Sequence, residues 1–397
     1  MNGKPNILII CNSFPPAISG VGQYVYNLTK SLKDKYNFKI LTSNMSVQSS
    51  WTRIACLPTY QKLDGVEIIS VRLLPPYLPY LLTYTLAMEA KKYIRSKLVN
   101  IVHVHSLGQL HSDASLLFAK KRSLRTVYTI HAWRNVEGPF SRLLLSIYEH
   151  SIAPRVLRSA DIITVLGTHG QQYVQSILKC KGKKIEVVPN GIDFKRIRSV
   201  IEKARNENFW KNVGIPDNKK ILIYYGRLTR MKGLFDLILA FYQVHKLNRD
   251  VFLLIIGSGP LMNNLTTLIN KLGLGGSCMI TSATTYQLFN YLANSHLFVL
   301  PSYAEGMPTT ILEAMAAEVP VIATNVGDVA DIVIHGKTGL IVQPGNVQQL
   351  TNSILEILEN GKLRRDLIKN GLEVARLHDW SLIAEKVNII YERLLMK

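Results

Sequence analysis

The octapeptide Val187-Val188-Pro189-Asn190-Gly191-Ile192-Asp193-Phe194 divides the chain in two. Its valines end a strand, its proline withholds a ladder donor and its Asn-Gly pair signals a turn, so it closes one folded body and opens a connector. On both sides, short β-branched runs alternate with longer helical patterns, as in parallel strands joined by crossover helices. Before the octapeptide the predicted strands are Asn6–Cys11, Phe38–Thr42, Val66–Arg72, Ile101–His105, Thr126–Ile130, Ile162–Val165 and Ile185–Val188. After a charged helical segment they restart at Lys220–Gly226, Val251–Ile256, Met279–Thr281, Leu297–Leu300, Val321–Ala323 and Gly339–Val342. The expected fold class is α/β, with two doubly wound domains over residues 1–190 and 191–379. A closing helix, Trp380–Met396, sets Leu382, Ile383, Val387, Ile390, Leu394 and Leu395 on one side.

The 397 residues suffice for two domain cores, and 47% hydrophobic with 19% charged residues excludes disordered and fibrous classes. Net charge is +20. Met1–Asp193 carries 24 basic and 10 acidic residues, a balance of +14, against 23 and 17, or +6, in the remainder. Such an excess favours anionic partners. Cys11, Cys56, Cys180 and Cys278 stand singly, without the paired spacing of a zinc site or disulfide framework. The start, MNGKPNILIICNSFPP, has too short an apolar run for a secretory signal. The longest uncharged stretch, Leu73–Met88, is 16 residues with three prolines, whereas a spanning helix needs about 20 apolar residues. A cytoplasmic protein without a transmembrane helix is expected.

In doubly wound sheets, ligand groups are sought on loops leaving the carboxyl ends of the strands. The first such loop, Asn12–Gly22, precedes a helix expected from near Val21. Its glycines could admit an anion to backbone N–H groups, or Gly20 could simply serve a tight turn at positive φ. The second, Tyr224–Gly233, places Arg227 and Lys232 at a helix start, where a guanidinium fork and an ammonium suit a diphosphate. A solvated basic loop is the competing reading, and the spacing is not that of a Walker A loop. In the third, Ser302–Met315, Pro308 suits a first helical turn, with Glu305 in the loop before it and Glu313 inside the helix. Apolar neighbours surround Glu313, and a buried carboxyl needs a partner. The fourth carries His131 just beyond a strand end; His103 and His105 share a strand face and read as structural. Gly257-Ser258-Gly259 is an incomplete dinucleotide fingerprint.

Together these loops resemble the family 4 retaining glycosyltransferases of the GT-B fold, in the right order over nearly the whole chain. The matching stretches are PPAISGVGQY, YTIHAW, VVPNGID, YGRLTRMKG, IGSGP, EGMPTTILEAMA and HGKTGLIVQPGN, and Glu305 with Glu313 fits that family's Glu-x7-Glu signature. The resemblance implies two Rossmann-like domains facing across a cleft, the first binding acceptor and the second a UDP- or GDP-linked sugar. It makes His131 and Glu305 catalytic. Arg227, Lys232 and Gly20 would hold the donor diphosphate, and Glu313 the ribose hydroxyls. Gly306, Met307 and Pro308 would supply backbone contacts to the sugar and phosphate. The terminal helix would return to the first domain, and neither metal nor other cofactor is implied. In this sequence Val319 stands where the "GxPV" turn usually has glycine, Asp331 replaces a common Glu, and Cys278–Thr284 lacks the glycine of the base-recognition loop.

The acceptor side carries most of the charge. Leucines and tyrosines in Leu73–Met88, among them Leu81 and Tyr84, precede Lys91, Lys92 and Arg95. That pattern suits an anionic lipid headgroup surface and a lipid-linked or glycan acceptor reached from the cytoplasmic face. A helix covering the sheet, with its lysines in water, is the competing reading. A soluble sugar or sugar-phosphate acceptor, a GT-B sugar-nucleotide 2-epimerase and a basic nucleic-acid binder are the rival functions. The last lacks any aromatic platform among its basic residues, so no nucleic-acid partner is expected.

Overall fold

The computed structural model describes residues 3–15, 19–43, 59–72, 84–96, 98–131, 138–179, 185–205 and 209–396. The chain forms two compact units, Met1–Asn190 with Trp380–Lys397, and Gly191–Asp379.

The first unit is built on β1 (Asn6–Ile10), β2 (Asn37–Ser43), β3 (Tyr60–Leu63), β4 (Val66–Val71), β5 (Ile101–His105), β6 (Arg125–Ile130), β7 (Ile162–Val165) and β8 (Ile185–Val187). They form one sheet in the order β3-β4-β2-β1-β5-β6-β7-β8. β1 lies between β2 and β5, with Ile9 opposite Ile40 on one side and His103 on the other. Helices cover such a sheet on both faces, so NILII is apolar without alternation. The unexpected strand is β3, which is antiparallel to β4. Its residues, YQKL, are mostly exposed and carry little hydrophobic signal. The cue is Asp64-Gly65, whose φ values of 51° and 89° make the two-residue turn that a hairpin prefers.

The helix Trp380–Leu395 belongs to this unit and buries Ile383, Val387, Ile390 and Leu394. Leu382 and Leu395, expected on the same face, are exposed. Two polar contacts fix its register: Tyr36 Oη donates to Asn388 Oδ1 at 2.8 Å, and Tyr391 Oη meets His103 Nδ1 at 2.6 Å.

The second unit contains β9 (Lys220–Tyr225), β10 (Val251–Ile256), β11 (Cys278–Thr281), β12 (Leu297–Leu300), β13 (Val321–Thr324) and β14 (Leu340–Val342). All are parallel, in the order β11-β10-β9-β12-β13-β14. The chain runs outward from β9 to β11 and then returns to β12 on the other side of β9. This reversal opens a crevice at the carboxyl ends of β9 and β12, the place where open α/β sheets take ligands.

Two local expectations need correction. The departure placed at Val319 lies one residue earlier: Glu318 itself adopts φ 60°, a left-handed conformation that favours glycine. Its carboxylate is held by Arg198 Nη1 at 2.8 Å and by Arg205 Nη2. Pro308 caps its helix, Thr309–Ala316, from outside the first turn, with φ −76° and ψ 118°.

Gly233 joins the β9 loop to the helix Leu234–Leu247 at φ 63°, where a Cβ would stand 1.9 Å from the carbonyl oxygen of Pro301. Gly233→Ala is expected to cost about 2 kcal/mol or more, the left-handed backbone penalty plus the displacement of Pro301. Urea unfolding checks this: a lowered midpoint at unchanged slope is the expected outcome.

Candidate active site

The crevice of the second unit brings together two residues 73 positions apart in the chain. Lys232, at the end of a short 3-10 turn after β9, places Nζ 2.5 Å from Oε1 of Glu305 in the loop after β12. The same oxygen accepts from Ser302 Oγ at 2.6 Å. Both side chains are largely enclosed, 18% exposed for Lys232 and 10% for Glu305. Removing either partner of such a pair leaves an uncompensated charge, at a cost of about 3–5 kcal/mol in fully buried cases. Arg227 lies exposed on the β9 loop and has no ion-pair partner among the described residues. The basic pair of this loop is therefore asymmetric, with one cation held by an acid and one open to an incoming anion.

Glu313, four residues into the helix that Pro308 caps, faces the end of β9. Tyr225 Oη donates to its Oε2 at 2.6 Å, supplying the partner that a carboxyl among apolar residues requires. Burial pushes the Glu313 carboxyl up to about 7, and the tyrosine hydrogen bond opposes that rise. Met307 is buried, and Gly306 accepts from Asp328 N at 3.1 Å, so the Gly306–Pro308 backbone is fixed against the following loop. The Gly257-Ser258-Gly259 loop has a packing role: Ser258 O accepts from Leu228 N at 2.9 Å, which seats it on the Arg227 loop.

In the first unit, His131 follows β6 and is buried. Its Nε2 lies 2.8 Å from His105 Nδ1, and the His105 ring stacks in turn on His103 with centroids 4.2 Å apart. Tyr24 meets the edge of His131 at 4.9 Å between centroids. Burial drives His131 down to about 3 and His105 well below its ordinary value, so both rings stay neutral at physiological pH and one donates to the other. Gly20 opens the helix Gly20–Leu32 but is not among the glycines at positive φ, contrary to the tight-turn reading. The close approach is at Gly22, where a Cβ would lie 3.0 Å from the Ser13 carbonyl oxygen. Ser19 caps the helix by accepting from Gly22 N at 2.9 Å.

The supporting residues Tyr225, Ser302 and His105 were not singled out for these tasks by spacing. Tyr225 ends an apolar strand like any core aromatic, and Ser302 is one loop serine among many. Of the residues read as an acceptor surface, Leu81 lies outside the described residues. Tyr84 is exposed, Lys91 sets Nζ 5.0 Å over the Phe118 ring, Lys92 pairs with Glu89 at 2.7 Å, and Arg95 is exposed. The helix Tyr84–Arg95 buries Leu86, Ala87, Ala90 and Ile94, as a sheet-covering helix does.

The raised carboxyl has a measurable consequence. A folded-state value near 7 against 4.5 in the ordinary state means that the folded protein holds the extra proton between those pH values. The stability tied to Glu313 is thus fully present below pH 4.5 and lost as pH rises through 7. Glu313→Gln keeps a neutral acceptor for Tyr225 at every pH. Relative to wild type, it is expected to gain up to about 3 kcal/mol between pH 5 and pH 8. Urea unfolding at both pH values tests this, and a difference independent of pH would contradict it.

Comparison with known proteins covers both units. Residues 205–374 match the family described as Glycosyl transferases group 1, and residues 18–196 match Glycosyltransferase Family 4. TuaC of Bacillus subtilis, whose name assigns it provisionally to teichuronic acid biosynthesis as a glycosyltransferase, is 29% identical over 257 residues, 64% of this chain and 60% of TuaC. A GDP-mannose-dependent monoacylated phosphatidylinositol monomannoside mannosyltransferase of Corynebacterium glutamicum is 24% identical over 99% of both chains. Among solved structures, sucrose-phosphate synthase of Thermosynechococcus elongatus superposes with a TM-score of 0.78 at 21% identity, covering 99% of this chain and 100% of that one. HepE of Anabaena, solved with UDP, gives 0.74 at 18%, covering 98% and 100%. With each half of the chain matched in order and the whole fold shared, the chain belongs to the family 4 type of GT-B glycosyltransferases.

Proposed function

We propose that the protein is a retaining glycosyltransferase that moves a hexose from a UDP- or GDP-linked donor to a lipid-linked or membrane-borne acceptor. The observation that carries the donor half is the Lys232–Glu305 ion pair beside the open guanidinium of Arg227. Arg227 and Lys232 hold the diphosphate, on which negative charge grows as the sugar departs. Glu305 keeps Oε2 without a partner among the described residues and receives a sugar hydroxyl there. Glu313 accepts the ribose hydroxyls. The backbone of Gly306, Met307 and Pro308 contacts the sugar and its phosphate. In the first unit, Gly20 serves the diphosphate and the neutral His131 the transferred sugar.

The reaction breaks the bond from the anomeric carbon to the phosphate oxygen and forms one from that carbon to the acceptor oxygen on the same face. The acceptor proton passes to the departing phosphate. Support for a nucleotide-sugar donor comes from HepE, whose solved structures contain UDP, and support for a lipid-borne acceptor from the Corynebacterium enzyme's name.

A surface in the first unit supports membrane attachment better than the segment singled out from sequence. The helix Pro139–Ser151 turns Tyr148 inward and leaves Phe140, Leu143, Leu144 and Ile147 exposed at 71, 57, 51 and 51%. These four follow helical spacing, so they form one apolar stripe, and the same helix carries the exposed Arg142 and the next helix the exposed Arg155. An apolar stripe with cations on its own and the following helix suits the boundary of an anionic bilayer. No helix among the described residues is long and apolar enough to cross one.

Incubation with a panel of UDP- and GDP-sugars plus a membrane extract, followed by mass spectrometry of the glycan product, tests the chemistry. Glu305→Ala is expected to lower transfer by about a hundredfold or more while the circular dichroism spectrum is kept. Retained turnover removes the role. Flotation with anionic liposomes at low salt tests attachment. Wild type is expected to float, and the Leu143→Asp/Ile147→Asp variant to stay with the soluble fraction. Absence of wild-type binding defeats the membrane reading.

A further inference from the structure

At the opposite edge of the second unit's sheet, where β12 and β13 begin, lies a cavity of about 430 Å³. We infer that it is a second binding site, separate from the donor crevice, for the phosphate group of a small ligand. Its wall is made by Arg205, Asn294, Ser295, His296, Glu318 and one face of the helix Gly361–Leu377, on which Gly361, Arg364, Arg365 and Ile368 align.

The chemistry of that wall is donor-rich. Glu318 is its acid, and Arg198 and Arg205 already occupy both of its oxygens. Arg364 and Arg365 form no ion pair among the described residues, and Arg364 Nε is buried without a hydrogen-bond partner. An unsatisfied buried donor is costly, more so on a charged group. His296 adds a further donor. Its Nδ1 accepts from Ile221 N at 3.0 Å, which places the ring proton on Nε2, and burial beside Arg364 keeps the ring neutral.

A further observation points to an anion. Arg364 and Arg365 lie one turn into a helix whose first turn carries no acid, so two cations face the positive end of its dipole without compensation. Guanidinium forks and a neutral imidazole N–H match the acceptor oxygens of a phosphate, and the cavity leaves room for a sugar-sized group attached to it.

Calorimetric titration of the whole chain with inorganic phosphate, and separately with ribose 5-phosphate, tests the site at constant ionic strength. The Arg227→Gln/Lys232→Gln variant, with a disabled donor crevice, is expected to bind as wild type does. Arg364→Gln/Arg365→Gln is expected to bind at least about tenfold more weakly. Tighter binding of ribose 5-phosphate assigns the site to a phosphorylated metabolite and equal binding to free phosphate; either supports it. No saturable binding by wild type, undiminished binding by the Arg364/Arg365 variant, or loss only in the donor-crevice variant overturns the proposal. Should the double variant unfold, the exposed Arg365→Glu change carries the same comparison.

Discussion

The ion pair between Lys232 and Glu305 is the constraint around which the second unit is arranged. It exists because β9 and β12 are neighbours in a parallel sheet, so their following loops leave from one edge. Gly233 lets the first loop turn against the carbonyl of Pro301, and Ser302 Oγ donates to the Glu305 carboxylate. Acid and cation are thus set in place by the fold itself, while Arg227 on the same loop is exposed. Preorganised charge of this kind avoids reorganisation when charge develops on a leaving group.

The first unit uses the opposite device. Met1–Asp193 carries a charge balance of +14, yet the sheet of this unit holds a column of three neutral imidazoles, His103, His105 and His131. Tyr391 from the chain's last helix binds His103, so the terminal helix and His131 are joined to the same column. Several surface cations are spent on packing: Lys39 and Lys91 each lie 5.0 Å from the centroid of an aromatic ring. The exposed apolar stripe stands elsewhere, on the helix Pro139–Ser151, whose sequence PFSRLLLSIYEHS reads as an ordinary covering helix.

Nearly every strand was legible because buried parallel strands need continuous β-branched and apolar runs, and such runs are visible without neighbours. The hidden strand, β3, lies at an edge, is polar on most of its surface and is fixed by its turn. The turn before β13 shows the same limit from another side. A glycine position could be expected from resemblance, yet only the backbone identifies Glu318, one residue from the expected Val319, as the residue at positive φ.

The amino-acid order determined the two α/β halves, their boundary near Asn190 and the loops that carry Arg227, Lys232, Glu305, Glu313 and His131. Those features follow from local periodicity and turn chemistry, which need only adjacent residues. Tertiary structure decided which of these groups touch. It set Lys232 on Glu305, Tyr225 on Glu313 and His105 on His131, left the Pro139–Ser151 stripe bare and lined one cavity with Arg364, Arg365 and His296. Such pairings depend on strand order and on burial, and both arise only when distant segments share one sheet.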